Sequence, residues 1–363
     1  MGQRASVHRS RSRAPHTSPA LRVGLAALWG LGLWAAIACA RPPSPRAWDA
    51  PGESRVWPAG PDPGRIEYVG ALQSGEDLGR PRGLLERLVR GLAGAEPDRM
   101  LAPLAVAVTP SGLLVVADPG VPTLHFFDLG RRRYDRLDAD AARTLRSPVG
   151  VAVADGGRTF VSDSALGRVF VFDADRRRIG DFGAGVLQRP TGLALDPSQD
   201  HLYVVDTLAC QVVVFDVAGR PVRRFGERGT GPGQFNGPTH IAIAPDGTIA
   251  ISDSLNFRVQ VFHPDGTLSH SVGRPGDVAG SFARPKGVGF DSFGNLYVVD
   301  AAFENVQIFG PEGALLLAFG HAGGGIGGFS LPAGIAIDDR DRIWVADSFN
   351  QRVQVFRLRP GPR

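Results

Sequence analysis

Ile343-Trp344-Val345-Ala346-Asp347-Ser348-Phe349-Asn350-Gln351-Arg352-Val353-Gln354-Val355-Phe356 reads as two short apolar strands joined by a polar loop, with an aspartate closing the first strand. Just upstream, Pro332-Ala333-Gly334-Ile335-Ala336-Ile337 is a further strand, separated from the pair by the polar turn Asp338 to Arg342. The strand-ending aspartate returns along the chain in LLVVAD at Asp118, RTFVSD at Asp163, LYVVD at Asp206, IAISD at Asp253, LYVVD at Asp300 and IWVAD at Asp347. Successive aspartates lie 45, 43, 47, 47 and 47 residues apart, and a period in the forties with several short strands per unit indicates a propeller. The expected fold is therefore all-β, a six-bladed β-propeller with four-stranded antiparallel blades.

In the fourth and fifth units, glycine turns (Pro264-Asp265-Gly266, Pro311-Glu312-Gly313) lead to a fourth strand ending near Val272-Gly273 or Phe319-Gly320. The last unit has no such strand, because only RLRPGPR follows Phe356. Arg65-Ile66-Glu67-Tyr68-Val69-Gly70 has the form to supply it, closing the ring from the N-terminal side and removing both exposed edges. The propeller is thus expected over residues 65–358, with a short tail at 359–363. Its first unit carries an insertion at about 72–101, in which Leu84, Leu85, Leu88, Val89 and Leu92 fall at helical spacing. That spacing predicts an amphipathic helix, lying on the rim or docking a partner.

Gly 48 and Pro 29 together exceed a fifth of the 363 residues, which favours short strands and tight turns. The net charge of +4 suggests nucleic acid until its location is considered. Residues 1–38 hold Arg4, Arg9, Arg11, Arg13 and Arg22 and no carboxylate, so 35 basic and 36 acidic residues remain from Cys39 onward, a balance of −1. The basic excess belongs to the leader.

Val23 to Ala38 is a run of 16 uncharged, mostly apolar residues after the arginine-rich start, the pattern of an export signal. A membrane span needs about 20 residues. The run ends in Ala36-Ile37-Ala38-Cys39, which resembles the lipobox of bacterial lipoproteins and implies a signal peptide at 1–38 and lipidation of Cys39. Cleavage without lipid and an uncleaved anchor are the alternatives. Residues 39–64 follow with seven prolines and read as an extended tether. Ala40, where aspartate would favour inner-membrane retention, favours the outer membrane. Cys210 lies in an apolar run and reads as a small buried residue without a disulfide partner.

The repeats resemble NHL repeats, whose pattern is Pro-x-Gly-Ile-Ala-Val followed by Tyr-Val-Ala-Asp-Ser-x-Asn-x-Arg-Val-Gln-Val-Phe. Unit six (PAGIAI, IWVADSFNQRVQVF) and unit four (PTHIAI, ISDSLNFRVQVF) match almost throughout. The loop arginine is kept as Arg168, Arg258 and Arg352 but is Gln211 and Asn305 elsewhere, while unit one has PGVPTL in its place. Members of this class serve as enzymes, RNA binders and protein scaffolds, so the fold does not name the function. A peptidyl-hydroxyglycine lyase of the class holds zinc through histidines after the blade-initial proline. The matching positions here are Leu104, Val149, Thr191, Thr239, Lys286 and Ala333, none an imidazole. A lactonase would place carboxylates and amides on a divalent cation, but no motif locates such ligands.

The repeat aspartates Asp118, Asp163, Asp206, Asp253, Asp300 and Asp347 would encircle one face. Their equal use in every unit suits a scaffold carboxylate that accepts backbone amides of the adjoining loop. More informative is the Pro-x-Gly position, occupied by Ala105, Gly150, Gly192, His240, Gly287 and Gly334. His240 and the chain's one lysine, Lys286, could converge with Asp253 and Asp300 into a ligand-binding patch; packing in a filled channel is the other reading of His240. Neither a metal nor a cofactor nor a catalytic residue is expected. The runs Arg131 to Arg133 and Arg176 to Arg178 follow third strands, on the face opposite the aspartate loops, as solvated turns or contacts for acidic envelope polymers. The expectation is a non-enzymatic envelope lipoprotein whose loop face meets an envelope protein or small ligand, with the membrane reached through lipid on Cys39 and no nucleic-acid partner.

Overall fold

A computed structural model describes residues 55–58, 65–79, 99–137 and 144–359. The leader, Cys39 and most of the proline-rich stretch lie outside the described residues. Blade four illustrates the repeat: Pro238–Ile243, Ile249–Asp253, Arg258–Phe262 and Leu268–Val272 form an antiparallel meander. Its two middle strands are buried along almost their whole length, because each blade is covered on both faces by its neighbours. The outermost strand alternates between half-buried and exposed positions, so only there does the sequence show a period of two. Six such sheets follow one another around a central channel.

The last sheet is closed as expected: Ile66–Leu72 pairs antiparallel with Arg352–Leu358, from Ile66 opposite Leu358 to Leu72 opposite Val353. Both Ile66 and Leu72 are fully buried. The boundary at residue 65 needs correcting, however. Within the stretch read as tether, Val56–Trp57 adds a fifth strand to this sheet, Trp57 opposite Ile66. The cause is one apolar pair among prolines: the Trp57 ring lies 5.8 Å from that of Phe356 and 6.1 Å from that of Phe319. Of the insertion in blade one, the described part is a 3-10 turn at Gly75–Leu78, whose buried Leu78 packs near Met100. The leucines predicted to form a helix lie outside the described residues.

Entry into blades four, five and six follows a motif that the strand pattern alone conceals. Gly226, Gly273 and Gly320 end the preceding blade at φ +86°, +86° and +90°, and nine residues later come Phe235, Phe282 and Phe329, each 0% exposed. A Cβ on these glycines would lie 2.4, 2.2 and 2.4 Å from the corresponding phenylalanine ring. Positive φ and ring contact together demand glycine. The phenylalanines plug the blade interfaces, Phe282 among Val259, Val261 and Val288, for example. Phe282→Ala is expected to lower unfolding free energy by about 3–5 kcal/mol, and Phe282→Leu by much less, measured by urea denaturation.

Candidate functional site

Every repeat aspartate is fully buried. Asp163 accepts the amides of Arg146, Ser147, Ala165 and Leu166 at 2.6–3.1 Å, and Asp300 those of Ala283, Arg284, Ala302 and Phe303. Asp206 accepts from the amides of Gln188, Arg189 and Ala209. Each carboxylate thereby ties the loop after its own second strand to the segment entering its own first strand. The following residue reaches the next blade: Ser164, Thr207, Ser254 and Ser348 donate to the carbonyls of Pro190, Pro238, Pro285 and Pro103. Pro119 and Ala301 stand at that position in blades one and five and offer no hydroxyl.

Blades four and six add a clamp. Asp253 accepts from the Asn236 amide and from Asn256 Nδ2, Arg258 Nε and Gln260 Nε2; Asp347 does the same with Ser330, Asn350, Arg352 and Gln354. Arg258 and Arg352 then donate to carbonyls of the glycine-rich entry loops, at Gly231 and Gln234 and at Gly325 and Gly328. Arg168 is different, for it pairs with Asp181 at 3.1 Å. In blade one a histidine takes over: His125 Nε2 lies 3.4 Å from Asp118, and its Nδ1 is 2.8 Å from the Tyr134 hydroxyl. Burial works against ionisation of Asp118, but His125 and the amides of Leu101 and Ala102 outweigh it and hold the carboxyl below its usual range.

Asp253 and Asp300 were expected beside His240 and Lys286 as ligand contacts. The geometry instead places their carboxylates inside the loops, with no surface exposed and their oxygens occupied. His240 lines the narrow end of the channel, and Lys286 is near enough for its charge to act on the imidazole. At the Pro-x-Gly position, a Cβ on Gly150 would lie 2.0 Å from the Thr191 carbonyl oxygen, and one on Gly334 2.7 Å from that of Leu104. Glycine is needed where the next blade's backbone passes so closely. In blade four, as in blades three, five and six, the register of the first strand shifts over the two residues after its proline, so His240 stands off the ladder where its counterparts are glycines.

The half-buried His240 ring lines a neck of about 40 Å³ together with Ala105, Gly150, Gly192 and Gly334. A chain of hydrogen bonds fixes its tautomer. Ser254 Oγ donates to the Pro285 carbonyl at 2.7 Å, so Thr239 Oγ1 donates to Ser254 at 2.8 Å and His240 Nδ1 donates to Thr239 at 3.0 Å. Nε2 is left as an acceptor. Burial, with a smaller contribution from the charge of Lys286, pushes the imidazole pKa down to about 3. Burial also lowers that of Lys286, aided by the charges of Arg284 and Arg189.

For a base depressed in the folded state, the stabilisation is present above the unfolded value of 6.5 and is withdrawn as pH falls toward 3. The urea midpoint is therefore expected to drop between pH 7 and pH 4, and His240→Asn to reduce that drop.

Beyond the neck, Val106, Val151, Leu193, Ile241, Val288 and Ile335 line a cavity of about 250 Å³. The opposite mouth holds Asp291, Asp338 and Asp339. Asp338 there accepts from Arg342 and from Trp344 Nε1 at 3.2 Å. Among the described residues no three His, Cys, Asp or Glu side chains are grouped to hold a metal. Cys210 is buried. The arginine runs lie in turns on the side opposite the aspartate loops; Arg131 pairs with Asp128, and Arg176 with Asp135 of the preceding blade.

A family model for the NHL repeat matches residues 329–356, and one described as a 6-bladed beta-propeller matches residues 194–266. No curated protein matches the chain. Among solved structures, a streptogramin B lyase is similar at 11% identity and a TM-score of 0.54, over 72% of this chain and 94% of that chain. Virginiamycin B lyase from Staphylococcus aureus gives 14%, 0.52, 71% and 96% in the same order. An auxiliary nutrient binding protein from Bacteroides thetaiotaomicron gives 14%, 0.56, 71% and 69%. At such identities the likeness concerns the fold alone. Six blades in one ring, with the propeller match across blades three and four and the repeat match in blade six, make this chain an NHL-repeat six-bladed β-propeller.

Proposed function

We propose that the chain is an extracytoplasmic lipoprotein, anchored through Cys39, whose propeller is a non-enzymatic binding scaffold at the cell envelope. The observation that carries the binding role is the spending of the repeat carboxylates on backbone amides, while the loop tips beside them project into solvent. Shared residues hold the ring; the residues that differ between blades line its loop face. The solved relatives include lyases and a nutrient-binding protein. His240, the one imidazole lining the neck, has its pKa lowered by burial and its Nδ1 tied to Thr239, which suits a fixed hydrogen-bond acceptor better than a proton carrier. Binding is the simpler use of the same mouth.

Two measurements test this reading. Radiolabelled palmitate is expected to enter the full chain and not Cys39→Ser, with the wild-type protein fractionating with membranes; unlabelled soluble protein would reject the anchor. Elemental analysis of purified wild type and His240→Ala is expected to find equal, substoichiometric metal. A stoichiometric divalent ion lost in the variant would replace the scaffold reading with a metal-dependent enzyme.

A further inference from the structure

Each aspartate loop carries its tip residue two positions after the aspartate, and the sequence Gly120, Ala165, Leu208, Leu255, Ala302, Phe349 runs around the loop face. Three of these are large, apolar and open to solvent: Leu208 is 52% exposed, Leu255 61% and Phe349 69%. Scattered surface leucines need no explanation, but these occupy equivalent positions in blades three, four and six. The tips are held against the segments that enter the channel strands. The amide of Leu255 donates to the Asn236 carbonyl and that of Phe349 to Ser330, both at 3.0–3.1 Å.

The equivalent segments entering blades three and five carry cations. Arg189 and Arg284 each precede a blade-initial proline, and the amides of Thr207 and Ala301 donate to their carbonyls at 3.0 Å. Leu208 is thus two backbone steps from the anchor on Arg189. Lys286 follows Pro285, and both arginines are near enough for their charges to act on its ammonium. None of the three side chains has a carboxylate partner among the described residues. The repeat aspartates beneath cannot serve, since they are buried and occupied. Among the described residues, an arc over blades three to five therefore gathers Arg189, Arg284 and Lys286 with no carboxylate paired to them, and His240, with its acceptor Nε2, is near enough to Lys286 to feel its charge.

We infer that the loop face binds a segment of a partner protein that places an acidic side chain against Lys286, Arg284 and Arg189 and apolar side chains on Leu208, Leu255 and Phe349. This deepens the proposed scaffold role and rests on it. Charge complementarity sets the acidic group. A peptide is favoured over a free acyl carboxylate because its backbone N–H can donate to His240 Nε2 while its side chains reach apolar tips on separate blades.

The test pans a random short-peptide phage library on the immobilised full chain. Enriched sequences are expected to carry Asp or Glu flanked by apolar residues. A synthetic peptide of that sequence should bind roughly tenfold more weakly to Lys286→Glu and to Phe349→Ser, and more weakly in high salt. Its Asp→Asn analogue should show the same loss. Circular dichroism and melting of both variants check that the ring is intact, and Arg131→Glu on the opposite face serves as the control. Neutral peptides that bind wild type and Lys286→Glu alike but lose Phe349→Ser would overturn the acidic ligand and leave the loop face as a binding surface. No enrichment, or binding lost only in Arg131→Glu, would overturn both. Loss of phosphatidylglycerol vesicle binding in Lys286→Glu, without peptide enrichment, would assign the face to membrane and reject the inference.

Discussion

Leu72→Asp is expected to destabilise the whole ring, lowering unfolding free energy by about 4–5 kcal/mol, near the upper end of what one substitution does. Leu72 is fully buried, lies opposite Val353 and packs with Leu78, Val355 and Trp344. The change removes a buried leucine and puts a carboxylate without a partner in its place. Domains of this kind are stable by about 5–15 kcal/mol, so the variant sits close to unfolding at ordinary temperature. The strand also joins the two ends of the propeller, so its failure frees the outer edge of blade six. Hydrogen exchange is then expected to accelerate in blade three, far from the substitution, and urea unfolding to remain a single transition. Glu67→Ala is the control. Its partner Arg357 is half exposed, and such pairs contribute about 0–1 kcal/mol. Faster exchange confined to blade six would mean that the blades are independent and closure is dispensable.

The parts of this fold legible in the sequence are those set by local pattern. Fully buried middle strands, such as Ile249–Asp253, appear as continuous apolar runs ended by aspartate, and six of them at a near-constant period define the ring. Closure by Ile66–Leu72 was legible because a missing strand at one end matched a spare one at the other. Trp57 was hidden by its prolines, since composition over a window dilutes one apolar pair. The phenylalanine plugs recur as Gly226 to Phe235, Gly273 to Phe282 and Gly320 to Phe329, so the signal was present, but it falls in segments that look like loops. For the candidate site, His240 stood out as the exception in a repeat. Its pairing with Lys286, and that of Lys286 with Arg189 and Arg284, depends on which blades adjoin at the channel mouth, which no local window contains. Asp253 and Asp300 were misplaced as ligand contacts because the spacing shows where a strand ends and not which way its carboxylate turns.

Asp347→Ala should cost about 3–5 kcal/mol, more than Asp206→Ala, although both remove the same residue from the same position. The difference lies in what each leaves behind. Asp206 leaves only neutral backbone amides, two of them on the exposed residues Gln188 and Arg189 where water can take the place of the carboxylate, and blade three has Gln211 where the clamp arginine would stand. Asp347 leaves amides and also the guanidinium of Arg352, whose side chain is only 10% exposed and whose Nε lies 2.8 Å from the carboxylate. An unpaired buried cation is costlier than an unpaired amide. Replacing Arg352 by methionine in the Asp347→Ala background should therefore restore part of the loss, and the double-mutant cycle should give a coupling of about 2–3 kcal/mol. The same cycle on Asp163 and Arg168 should give a coupling near zero. Those residues occupy the same positions in the repeat, but Arg168 turns to Asp181 and Asp163 is satisfied by four backbone amides. Equal couplings in blades two and six would mean that the repeat pattern, and not the observed pairing, governs the clamp. Unequal ones would show that one sequence motif is used in two physically different ways within a single ring.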